Sequence, residues 1–311
     1  MSIHSVKQAQ SHLAWDNRIQ PVIHVNSGET VTFDCLDASN GQITASSTPA
    51  AVSTLVLAKC DQVNGPVYVR NALPGDTLQV DILDITTADW GWTACIPGFG
   101  LLADEFQEPA LKLWRLNTSE GFTWFDEQRG MKTPLRPFAG EMGVAPAKEG
   151  AHSTIPPYAT GGNIDTRHVT AGSTLYLPVE VEGALFSIGD GHAAQGDGGT
   201  AIETPMTVKV RLTVRKDKSY TKTPHFSTPA APTSDAYYWF PCRRRRVDIK
   251  DAARASVRHM IEVLVADYKL DRVEAYMLCS VAGDLRMHEV VDMPNYVIGF
   301  MLPKSVVPIV D

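Results

Sequence analysis

Up to about residue 215 the chain alternates apolar and polar positions with a period of two, the spacing of half-buried strands. Three short segments set the pattern: Ser27–Phe33 (SGETVTF), Pro74–Val80 (PGDTLQV) and Ala171–Leu177 (AGSTLYL). In each, a glycine occupies a tight turn and an alternating run follows. Val31, Phe33 and Cys35 fall on one side of the first run, and Leu78, Val80, Ile82 and Ile85 mostly on one side of the second. Such turn-to-strand entries predict a mainly β chain, with a β-sandwich or barrel-like body of hairpins. Long Gly/Pro-rich connections interrupt it at Asp37–Pro49, Asp89–Asp104 and Arg129–Gly162. Loops of that length in a compact protein serve as lids, packing covers or oligomer contacts.

The period then changes. Over Asp248–Tyr268 the apolar residues Ala253, Val257, Met260, Ile261, Leu264, Val265 and Tyr268 recur at helical spacing, with Asp248 placed to cap the start. A second helix is predicted from Asp271, where Asp271 and Glu274 have capping-box spacing, to Gly283. Strand-like runs follow at Arg286–Asp292 and Tyr296–Leu302. The expected organisation is a β-rich catalytic body over 1–220 and a small C-terminal α+β element over 235–311, packed on the body or swapped with it. The polar, proline-containing stretch Thr221–Asp235 is the expected boundary.

Composition narrows the class. The chain has 311 residues, of which 44% are hydrophobic, enough for one large core or two moderate ones. A net charge of -7 argues against nucleic acid as a partner, which requires a clustered positive surface. Nothing in the chain reads as a membrane span or a secretory leader, so the expected compartment is the cytoplasm. The five cysteines are widely spaced with no CxxC pair, which fits reduced, buried thiols.

The segment Gly189–Gly199 (GDGHAAQGDGG) carries the candidate chemistry. Its glycines serve neither a core strand nor a helix, but they let the backbone approach something closely. If the segment is extended, Asp190 and His192 share a face and offer one oxygen and one nitrogen, half of a divalent-metal site. Ordinary turn chemistry is the competing reading of a Gly/Asp run. A metal-polarised carbonyl and a nearby carboxylate base would together suit amide hydrolysis. No GxSxG serine motif competes. Trp90, Trp92 and Phe99 could wall a small substrate pocket, or equally pack their own loop.

The chain resembles the acetamidase/formamidase family along most of its length. The resemblance is carried by HLAWD (His12–Asp16), VTFDCLDASNGQ (Val31–Gln42), DWGWTACIPGFGLLADEF (Asp89–Phe106), GVAP (Gly143–Pro146), GGNID (Gly161–Asp165), Ala184–Gly198, TAIETPM (Thr200–Met206) and AYMLCSVAGD (Ala275–Asp284). It implies a β-sandwich-like fold, hydrolysis of small linear amides to ammonia and a carboxylic acid, a divalent metal, and a homodimer or higher homo-oligomer. Zinc is the favoured ion, with calcium or manganese as alternatives. The matched positions imply Asp37 as the third metal ligand beside Asp190 and His192, and Asp197 or Glu203 as the base. They also suggest His12 and Asp16 as pocket residues, or as ties for the terminus. Two departures stand out. Relatives continue the motif as GDGEV before GTAIE, whereas here Gly198-Gly199 runs straight into Thr200. Four consecutive arginines, Arg243–Arg246, stand where relatives carry small residues. These departures leave open a family-shaped protein that binds a metal or ligand without catalysis, or one that acts on a larger or anionic amide.

Overall fold

The computed structural model describes residues 3–229, 237–242, 248–303 and 306. Nine strands form the larger sheet, in the order Ile3–Val6, Glu29–Cys35, Met206–Arg215, Thr77–Thr87, Thr174–Pro178, His225–Ser227, Tyr237–Cys242, Val297–Pro303 and Asp284–Glu289. The three turn-to-strand entries read from the sequence thus fall in one sheet. Met206–Arg215 lies between the first two of them, with Val210 opposite both Val31 and Ile82. A second sheet runs Gly161–Asn163, Phe138–Gly143, Phe186–His192, Val63–Val69 and Ser11–His12, with Ile23–Val25 also paired to Val63–Val69. Both sheets stay open, so the architecture is a sandwich rather than a closed barrel.

The inner faces meet where alternation placed the apolar residues. Val31, Phe33, Leu78, Val80 and Val208 of the large sheet share one buried cluster with Val67, Met142, Phe186 and Ile188 of the second. Phe33 and Phe186 cross edge to face with centroids 5.8 Å apart. Burying each such side chain contributes roughly 1.5–3 kcal/mol. A four-stranded antiparallel sheet, Met131–Pro134, Phe122–Asp126, Ala110–Asn117 and Trp90–Cys95, stands beside the body. A short helix, α1 (Ala50–Ser53), precedes Leu55 and Leu57.

The two long helices follow the predicted boundaries closely. In α2 (Ile249–Tyr268) the Asp248 side chain accepts from the Lys250 N–H, and the helix ends at left-handed Lys269. In α3 (Arg272–Ala282) Asp271 and Glu274 form the capping box. Both bury Met260, Leu264, Ala275 and Cys279 against Phe300 and Leu302. The strand expected at Arg286–Asp292 is shifted to Asp284–Glu289, because the chain turns at Asp292, whose carbonyl accepts from Asn295 N–H. A strand, His225–Ser227, also crosses the expected boundary stretch and pairs with Thr174–Tyr176. Cys35, Cys60 and Cys279 are buried as expected, but Cys95, at the end of its strand, is exposed. Arg243–Arg246 lie outside the described residues.

Candidate active site

The Asp-x-His pair is not on a turn. It forms the end of strand Phe186–His192, and the turn comes after it. Asp190 adopts φ 57°, a left-handed conformation that costs a non-glycine residue roughly 1–3 kcal/mol and clusters at functional sites. The kink brings Asp190 Oδ2 to 3.0 Å from His192 Nε2. Glycine makes room on the neighbouring strand: a Cβ on Gly140 would stand 2.1 Å from Asp190 Oδ2 and 2.6 Å from Asp165 Oδ1. Glu203 reaches the pair from Thr200–Met206. Its backbone exchanges hydrogen bonds with Trp92, and its Oε2 lies 3.2 Å from His192 Nε2. The imidazole also meets the Phe138 ring edge to face, which fixes its plane.

Asp165 completes the centre, with Oδ1 3.9 Å from His192 Nδ1. One donor atom each from Asp165, Asp190 and His192 lie within 4.8 Å of one another. Asp165 Oδ1, Asp190 Oδ1 and His192 Nδ1 are buried without a hydrogen-bond partner. Unpaired buried carboxylate oxygens of this kind are costly unless a cation answers them, and the imidazole nitrogen becomes a further acceptor once its proton is lost. Carboxylate oxygen and imidazole nitrogen are donors that a divalent ion takes at about 2.0–2.2 Å, so the trio fits a metal.

These side chains floor a cavity of about 150 Å³, close to the volume that admits a benzene-sized guest (roughly 150 Å³). Asp61, Asn163 and Asp292 add polar groups to its wall, and Leu55, Leu57, Ile96, Phe99, Trp92 and Ile155 make the apolar side. Among the described residues no Lys or Arg lines it. The electrostatics follow from that imbalance. Burial opposes charge on His192, but Asp190, Glu203 and Asp165 outweigh it and hold the imidazole proton well above the usual range. Burial pushes the Glu203 carboxyl up to about 8, against the pull of His192, with Asp190 adding to the rise. Burial likewise raises Asp292 to about 7, helped by Asp190. Asp61 and Glu141 are also driven well upward by burial and then by neighbouring carboxylates.

Of the residues singled out in the sequence, Asp190, His192, Glu203, Trp92 and Phe99 line this cavity. Asp37 does not. Its Oδ1 accepts from Trp92 Nε1, Ser39 Oγ and Ser39 N–H, so Asp165 rather than Asp37 joins the Asp190–His192 pair. Asp37 instead anchors the indole that walls the cavity. Asp197 is also held elsewhere: Arg167 Nε lies 2.7 Å away and His168 Nε2 3.3 Å. Burial works against its charge, but the bonds from His168 and Arg167 prevail and lower its carboxyl to about 2, which makes it a poor base. Trp90 is outside the lining. His12 bonds Ser187 Oγ and the Ala14 carbonyl, which ties the N-terminal segment to strand Phe186–His192, whereas Asp16 is clasped locally by Arg18. The shortened turn closes on the C-terminal element, where Gly198 N–H donates to the His288 carbonyl.

Asp165, Asp61, Glu141, Glu289 and Asp292 were not singled out in the sequence. Glu141 lies in the wholly buried strand Phe138–Gly143, inside the 129–162 stretch that reads from the sequence as a connection, so nothing marked it as a buried acid. Asp165 closes the quoted GGNID segment. Asp61 and Asp292 are lone acids in separate segments, and nothing in their spacing marked them.

A sequence profile of the Acetamidase/Formamidase family matches residues 2–151 and 147–308. The formamidase of Methylophilus methylotrophus is 25% identical over 96% of this chain and 90% of its own. The acetamidase of Mycolicibacterium smegmatis is 29% identical over 60% of each. Among solved structures, a predicted acetamidase/formamidase from Thermoanaerobacter tengcongensis superposes with a TM-score of 0.88 at 28% identity, covering 98% of this chain and 97% of the other. The acetamidase from Bacillus halodurans gives 0.83 at 29% identity, covering 97% of each.

Proposed function

Since the chain belongs to the acetamidase/formamidase family, we propose that it hydrolyses small linear amides to ammonia and a carboxylic acid with the help of a divalent metal. The observation that carries this reading is the buried Asp165, Asp190 and His192 trio on the floor of a small cavity, with Glu203 beside it. The trio would hold the ion, for which zinc is the favoured candidate and calcium or manganese the alternatives. When bound, the ion would supply Lewis acidity toward the amide carbonyl and a more acidic water.

The protein's own groups do the rest. Glu203 is placed to take the proton of the attacking water and deliver it to the departing nitrogen. Trp92, Phe99 and Ile155 keep bulk water from the reacting atoms. Asp37 holds Trp92 in place through its indole N–H. The cavity's size favours short acyl groups, and its carboxylates disfavour anionic amides. The proposal extends to a cytoplasmic homo-oligomer. Self-association is supported by the exposed apolar stripe Val273, Tyr276, Met277 and Val281 on α3.

Ammonia release from formamide, acetamide and propionamide by purified protein of measured metal content tests this reading. Release that tracks bound metal is expected. No release with zinc, manganese or calcium would sink it.

A further inference from the structure

A second and larger concavity lies against the cavity. It is an open cleft of about 1020 Å³ between the 148–159 segment and α2, at the upper end of the usual range for ligand sites. Its charge is opposite to that of the cavity. Lys148, Lys222 and Arg258 line it with His152 and His259, against the single carboxylate of Glu262. All three cationic side chains belong to exposed residues. Lys222 Nζ donates to the Ser219 carbonyl, and no ion pair engages Lys148, Lys222 or Arg258 among the described residues. Ile155 lines both spaces, so the acidic cavity and the basic cleft adjoin at this residue. Its carbonyl accepts from Asn163 Nδ2, which fixes that wall to the cavity side.

This inference rests on the amide-hydrolysing reading above. A neutral amide enters the cavity and an anion is left there. The new carboxylate is left among Asp61, Asp165, Asp190, Glu203 and Asp292, with His192 as the one basic side chain and no Lys or Arg in the described lining, and the charge these carboxyls carry opposes a second anion there. On the other side of Ile155 lies the cleft, whose lysines and arginine complement an anion. We propose that the cleft is a binding site for aliphatic carboxylates, the docking place of the product acid on its way out. The charge rests on Lys148, Lys222 and Arg258, and the aliphatic part on Ile155, Pro156 and Pro157.

Equilibrium dialysis with radiolabelled butyrate tests the site directly, on the wild type and on the double variant Lys222→Ala/Arg258→Ala. Both positions are exposed, and circular dichroism checks that the variant is folded. Wild type is expected to bind butyrate, and the variant to bind it at least about tenfold more weakly, the loss of charge-assisted bonds. Butyrate should inhibit amide hydrolysis without competing with the amide, and kcat/KM at low product should be the same in both proteins. Equal binding by the two, or none by the wild type, overturns the proposal. Inorganic phosphate that displaces butyrate and binds more tightly overturns the carboxylate assignment in favour of a phosphate site. Dialysis reads the cleft whether or not the chain turns over amides. Intact butyrate binding without ammonia release would therefore fail the parent reading alone.

Discussion

Glu203 and Asp197 belong to the same short stretch of chain, yet their surroundings drive their carboxyls in opposite directions. Glu203 is buried beside Asp190 and His192, and its proton is held up to about 8. Asp197 is bonded by Arg167 and His168 and brought down to about 2. Only the first has an acid strength that can exchange protons near neutral pH. Glu203→Gln should therefore lower kcat by about 10²–10⁴-fold while bound metal, measured by elemental analysis, stays the same. Asp197→Asn should leave kcat unchanged and lower the unfolding free energy from urea denaturation by no more than ~1 kcal/mol, as expected for a partly exposed ion pair. The reverse pattern would exchange their roles.

At the scale of elements, the helices show what local sequence can specify. The capping box of α3 closes reciprocally, with Asp271 Oδ1 accepting from Val273 and Glu274 N–H and Glu274 Oε2 accepting from Asp271 N–H. Asp271→Ala should cost about 1 kcal/mol in chemical denaturation, without altering bound metal. The same kind of information made both long helices and the strands at Glu29–Cys35, Thr77–Thr87 and Thr174–Pro178 legible beforehand, because caps, glycine turns and period-two runs are local. Sheet order was not legible. Nothing in Met206–Arg215 announces that it lies between Glu29–Cys35 and Thr77–Thr87, since pairing partners are chosen by the packed faces. The site divides the same way. Asp190 and His192 were readable because two residues of one strand supply both. Asp165 and Asp292 were not, because they reach the centre from Gly161–Asp165 and from beyond Glu289. The left-handed turn at Asp190, which sets the final geometry, has no signature in a side chain that is ordinarily extended there.

For the whole molecule, the excess of buried carboxyls makes stability depend on pH and on metal. Glu203 and Glu289 are raised to about 8 and Asp292 to about 7, in each case chiefly by burial. A group whose folded pKa exceeds its unfolded value gives stability that is present at low pH and lost as pH rises through the folded pKa. The buried His225 and His288 are lowered to about 3, again chiefly by burial, and act oppositely, but only below about 6.5. Between pH 6.5 and 8 the raised carboxyls and His192, whose proton its carboxylate neighbours also hold above the usual range, act in the same direction. The chelator-treated protein should lose stability across that window, by up to about 1.4 kcal/mol per pH unit for each carboxyl. Loading with zinc should flatten the profile, measured as the urea midpoint at each pH. A flat profile without metal would contradict the charge imbalance. The order of the large sheet has another consequence, which arises during synthesis. Glu29–Cys35 and Thr77–Thr87 have between them a strand that ends at Arg215. At translation rates of about 5–20 residues per second, the first of these waits roughly 10–40 s for its inner neighbour. During that time strand Glu29–Cys35 has no inner neighbour on that side, so the pairing edge that carries Val31 and Phe33 stays open on the nascent chain. The cavity, whose wall includes Asp292, can form only near the end of translation.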